Sequence, residues 1–186
     1  MTKFREFFNP ATGESIEYTA VAEDTEGGLV RFNWRSVPGG VITEHVHPHQ
    51  EERFIILSGE AHFTLEGEDR VAGAGETVVV PAGVRHSEGN PGPEDVEGVV
   101  ELRPARRSKE WHEALAGLVA DGRTTLRGGA EEPAPAGCHL LALPPRERVT
   151  SPPIWVQNLM LPTLWMLAKL FGVKPYYARW DSRVAE

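Results

Sequence analysis

Two histidines two residues apart, His45 and His47, precede the adjacent carboxylates Glu51 and Glu52, and a further histidine, His86, follows the turn Pro81-Ala82-Gly83. On an extended strand, residues i and i+2 point to the same face, so His45 and His47 present their imidazoles side by side. Pro48 ends that strand, His49-Gln50 turn the chain, and the returning run through Phe54-Ile55-Ile56-Leu57 begins with a carboxylate that can face the imidazoles. The apolar run Val78-Val79-Val80 then meets a Pro-x-Gly turn that aims His86 back across the sheet. Three imidazoles and one carboxylate suit one divalent transition metal: Fe, Mn, Ni, Zn, Co or Cu. Such a set leaves coordination positions open to water or substrate.

The neighbouring polar residues divide into candidates and bystanders. His49 sits in the turn after the imidazole pair and is expected at the surface, with an acid-base or ligand-supporting role as the alternative. Gln50 carries the same ambiguity. His62 opens a strand and is expected outside, Arg85 is a candidate for an anionic substrate, and Phe54 belongs to the core. His112 falls in a helical segment and His139 beyond it, both outside the ligand pattern.

These residues need a β framework. With 19 Gly and 15 Pro in 186 residues, the chain favours turns over long helices. Strands are expected at Ser15–Ala22, Leu29–Val37, Glu52–Leu57, Ala61–Leu65, Glu76–Val80 and Val96–Leu102, separated by turns such as Ser58-Gly59 and Glu66-Gly67-Glu68. Residues 1–104 therefore read as one β sandwich or barrel.

From residue 105 the period changes to that of a helical extension. Ser108 caps a helix over about 108–121 in which Trp111, Leu115, Leu118 and Val119 recur at helical spacing, and 122–150 reads as a linker. An apolar helix is expected at about 152–171, started by Ser151 and Pro152. Its broad apolar face suits packing on the barrel or on a second subunit. Contact with a membrane is the alternative, at the cost of holding Gln157, Asn158 and Pro162 in hydrocarbon.

Charge and cysteine content narrow the partners. A net charge of −8 argues against a nucleic-acid partner, and the cationic group Arg103, Arg106, Arg107 and Lys109 lies among acids, as a solvated face does. Cys138 is the one cysteine, which rules out an intrachain disulfide, and the first residues lack a signal-peptide pattern. The expectation is a cytoplasmic protein. Edge strands and the apolar helix point to a homodimer.

The chain resembles the cupin superfamily of the cupin-2 conserved barrel type. Gly39, His45, His47, Glu52 and Gly59 fill the family's first motif, and Gly75, Pro81, Gly83, His86 and Asn90 fill its second. The likeness covers residues 10 to 104, and the downstream helices resemble those of an uncharacterised bacterial subgroup. The resemblance implies an all-β, RmlC-like jelly-roll barrel with a C-terminal α-helical extension, and a metal held by His45, His47, Glu52 and His86. Glu52 is preferred to Glu51 because it alone leaves six residues before Gly59. Members with this ligand set include quercetinase-type and acireductone-type dioxygenases, oxalate-degrading enzymes and sugar-phosphate isomerases.

The expected function is a metal-dependent oxygenase or related enzyme acting on a small oxygen-rich organic molecule. Glu52, loosened from the metal to act as a base, and His49 are the candidate catalytic groups. The alternative is a non-catalytic barrel that captures a small molecule as a sensor.

Overall fold

A computed structural model describes residues 7–9, 12–113, 148–149, 156 and 170. The strands are β1 (Phe7–Asn9), β2 (Glu14–Ala20), β3 (Val30–Ser36), β4 (Val41–Val46), β5 (Glu51–Ser58), β6 (Glu60–Leu65), β7 (Glu68–Gly73), β8 (Thr77–Val80), β9 (Arg85–Gly89), β10 (Val96–Arg103) and β11 (Arg148–Val149). They form two antiparallel sheets, ordered β1-β2-β3-β10-β5-β8 and β11-β4-β9-β6-β7. The sheets pack as a jelly roll.

Alternation explains which side chains meet between them. In β3, Val30, Phe32 and Trp34 are buried while Arg31, Asn33 and Arg35 are exposed, and β5 buries Glu52, Phe54 and Ile56 in the same rhythm. Cross-strand pairing lines up Val30, Leu102, Glu52 and Val80 in one inward row and Phe32, Val100, Phe54 and Val78 in the next. Aromatic edges close the interior: Phe54 lies 5.8 Å from Trp34 and 5.0 Å from Phe63, both at T-shaped angles. Glu52 is thus one carboxylate placed within an apolar wall.

The six expected strands all form, with no end shifted by more than two residues. Glu66 and Gly67 both take positive φ (50° and 87°), which makes the β6–β7 connection a tight hairpin whose twist matches its strands. Beyond the sheets, residues 108–113 are helical; Ser108 is the first helical residue, and its hydroxyl donates to the Ala105 carbonyl at 3.0 Å instead of capping the helix. The remainder of that helix and most of the 122–150 segment and the apolar 152–171 helix lie outside the described residues. Within the segment expected as a linker, Arg148–Val149 form β11 against Val46 and His45. Among the described residues no helix is long and apolar enough to cross a membrane.

Candidate metal centre

Three local devices bring the predicted ligands together. The first is a β-bulge. The β4–β9 ladder pairs Ile42 with Glu88 and His45 with His86, so β4 carries one more residue than β9 between those pairs. The extra residue shifts the phase of β4, and His45 lands opposite His86. The second is the Pro81-Ala82-Gly83 turn, whose Gly83 N–H donates to the His47 carbonyl at 2.9 Å, joining the end of one histidine segment to the start of the other. The third is Gln50, whose side-chain amide donates to Pro104 O and Ser108 Oγ, both at 2.8 Å, and so fixes the loop between His47 and Glu52.

The result is a compact group. One candidate ligand atom from each of His45, His47, Glu52 and His86 lies within 4.8 Å of all the others, and the four residues could hold one metal ion. The His45 ring centroid is 4.1 Å from that of His86 and 5.0 Å from that of His47. Glu52 Oε2 is 2.9 Å from His86 Nε2 and 3.3 Å from His47 Nε2. Glu51, by contrast, turns outward to Arg53 at 3.3 Å. Strand alternation separates the two carboxylates.

The donor set fits a cation for a reason internal to the structure. His45 Nδ1 lies 3.0 Å from the Thr43 carbonyl, and His86 Nδ1 lies 3.0 Å from the Val84 carbonyl. A carbonyl only accepts, so each Nδ1 carries a proton, and Nε2 is left to coordinate a cation or, at His86, to carry the proton that bonds it to Glu52. The Glu52 carboxylate stays ionised. Burial pushes its pKa up, but the His47 charge and hydrogen bonds to His47 and His86 hold it below the usual range. Burial, reinforced by His86 and His47 and partly offset by Glu52, pulls His45 down to about 3. Three imidazoles and a negative oxygen therefore converge on one point, where a cation could take the place of the proton shared with Glu52.

The other candidates fall elsewhere. His49 is exposed in its turn, as expected. Gln50 is only 2% exposed and serves the architecture. His62 lies at the surface 3.3 Å from Glu60, and Arg85 is exposed between Glu44 and Glu66, at 3.8 and 3.7 Å, rather than facing the cluster. In the cationic segment, Arg103 meets Glu101 at 2.8 Å and Lys109 meets Glu113 at 2.6 Å.

Of three further titratable residues near the cluster, Glu14 and Glu88 have no place in the sequence expectations, and His112 is expected outside the ligand pattern. Glu14, buried at the start of β2, accepts from Trp34 Nε1 at 2.6 Å and from Thr12 Oγ1 at 3.1 Å, and burial raises its pKa to about 7. Glu88 is 6% exposed, and its Oε2 has no hydrogen-bond partner among the described residues. Burial, then the charges of Glu52 and Glu14, push its pKa well above the carboxylate range. The spacing of Glu88 from His86, two residues along β9, was the available signal. His112 is the third. Burial lowers it to about 4, with Glu52 opposing and His47 assisting, so it lies close enough to feel both.

Comparison with known proteins covers the barrel. A family model described as "Cupin domain" matches residues 32–102. The mannose-1-phosphate guanylyltransferase of Salmonella montevideo is 39% identical over 66 residues, which are 36% of this chain and 14% of that protein. The polyketide synthase CurC of Streptomyces cyaneus is 34% identical over 67 residues, 36% of this chain and 44% of that one. The chain thus spans less than half the length of either relative. A predicted oxalate decarboxylase from Thermotoga maritima superposes with a TM-score of 0.50 at 23% identity, covering 55% of this chain and 92% of that chain. That likeness is one of fold.

Proposed function

This chain belongs to the cupin superfamily, and from that premise we propose that its barrel holds one divalent transition metal through His45, His47, Glu52 and His86 and acts as an oxygenase or related enzyme on a small oxygen-rich organic molecule. The observation that carries the reading is the convergence of ligand atoms within 4.8 Å, with Nδ1 of His45 and His86 held to carbonyls so that Nε2 is the nitrogen left to coordinate. When bound, such a metal polarises substrate oxygens and, if redox-active, adds the chemistry of dioxygen.

The chain's own residues do the rest. The imidazoles and Glu52 fix the position of the bound molecule's oxygens, and the apolar wall of Phe54 and Phe63 keeps bulk water from the reacting atoms. Glu52, ionised and close to two rings, is the group placed to take a proton if it loosens from the metal.

Elemental analysis of untagged protein tests the centre directly. We expect about one transition-metal ion per chain in the wild type, and loss of most of it in His47→Ala with the fold retained. A full metal complement in that variant refutes the assignment. Oxygen uptake with catechols, flavonols and oxalate, measured on protein loaded with each metal, then separates turnover from capture. Ligand-induced thermal shifts without oxygen consumption would mark a binding protein instead.

A further inference from the structure

The helix that leaves the barrel carries another imidazole onto Tyr18 and Phe32, inside the larger sheet. Ser108 and His112 are four residues apart in the helical stretch 108–113, so they share one face. Gln50 holds Ser108 at 2.8 Å, and Gln50 belongs to the loop between His47 and Glu52. One turn further on, His112 lies over the inner face of the larger sheet. Its ring is 5.3 Å from Phe32 at a T-shaped angle and 6.1 Å from Tyr18, stacked.

The two nitrogens of this ring are used differently. Nδ1 is 2.8 Å from the Tyr18 hydroxyl, while Nε2 makes no hydrogen bond among the described residues. The ring is neutral at pH 7 because burial lowers it to about 4. Nε2 is therefore a donor or an acceptor according to which partner of the Tyr18 bond holds the proton. One nitrogen fixed, the other open, and the Glu52 and His47 charges within reach describe a group that faces a ligand.

We propose that His112 hydrogen-bonds through Nε2 to the small oxygen-rich molecule held at the His45–His47–Glu52–His86 centre, with Tyr18 as its positioning residue. The helix after the barrel is then part of the site. This deepens the metal reading above and rests on it.

The test uses the full chain loaded with Co²⁺ and titrated with oxalate and, separately, azide, following the cobalt absorption bands. His112→Phe is expected to keep the wild-type Co²⁺ content and to bind at least one of these anions about tenfold more weakly, the scale of one lost hydrogen bond. His112→Gln, whose amide reaches the Nε2 position, recovers most of that affinity. Tyr18→Phe gives an intermediate loss at unchanged Co²⁺ content.

Equal affinities in His112→Phe and the wild type overturn the inference. So does loss of Co²⁺ in that variant, or a wild-type cobalt spectrum that neither anion alters. Wild-type protein that takes up no Co²⁺ brings down the metal centre itself, a separate and distinguishable failure.

Discussion

At the scale of single residues, burial drives the acids and the imidazoles inside the barrel in opposite directions, and this fixes how stability depends on pH. Glu14 is raised from 4.5 to about 7, so between those values the folded chain holds a proton the unfolded chain has lost. The stability Glu14 contributes is complete below about 4.5 and disappears as pH rises through about 7. The gap between those values corresponds to about 3 kcal/mol. His45 and His112, lowered to about 3 and about 4, have the reverse sign: their contribution is present above the ordinary histidine value of 6.5 and is lost as pH falls. Gln in place of Glu14 keeps an oxygen for Trp34 Nε1 and has no charge to bury. Unfolding free energies of Glu14→Gln and wild type, measured between pH 5 and 8, should diverge in favour of the variant as pH rises, by on the order of 3 kcal/mol. Their acid limbs should run parallel. Parallel curves over the whole range would show that Glu14 is not held protonated in the barrel.

At the scale of elements, the turns hold the ligand-bearing strands in register, and two glycines separate conformational cost from steric cost. Gly67 in the β6–β7 hairpin has φ +87° and open space where a Cβ would stand. Gly59, between β5 and β6, has φ +76°, and there a Cβ would lie 2.5 Å from Asp95 O and 2.9 Å from Val96 Cα. Both contacts are backbone and neither can give way. Gly67→Ala should therefore cost about 1–2 kcal/mol, the strain of the left-handed region alone, while Gly59→Ala should cost on the order of 3–5 kcal/mol. Urea denaturation midpoints check the ranking, and equal costs would remove the steric argument. The same turns explain what was legible in the sequence. Ser58-Gly59 and Glu66-Gly67 bracket strands whose inward positions are apolar, so β5 and β6 could be read to within a residue or two. β7 escaped notice because Ala72 alone is buried in Glu68–Gly73. The bulge that turns His45 toward His86 belongs to the pairing of two strands and has no signature in either one alone. Glu88 shares the inward phase of His86 on β9, a strand outside the six expected ones. His112 needed knowledge of where a helix docks, which Ser108 and Gln50 decide together.

At the scale of the whole molecule, the ligand group spans both layers. His45 on β4, His47 just after it and His86 on β9 belong to the smaller sheet, while Glu52 on β5 belongs to the larger. An ion at that point would tie sheet to sheet, so metal binding and folding would be linked equilibria. A metal present at about a hundred times its dissociation constant adds about 2.7 kcal/mol, which for a chain of this size raises Tm by about 5–10 °C. Protons oppose this gain. Imidazole coordinates only when neutral, so metal affinity falls as pH drops through about 6, and the added stability falls with it. Scanning calorimetry of metal-loaded and chelator-treated protein should therefore show a Tm gap at pH 7.5 that narrows sharply by pH 5. His47→Ala, which removes one strut from the smaller sheet, should show almost no gap at either pH. A gap of the same size at both values would mean that whatever ion stabilises the barrel is not held by these imidazoles.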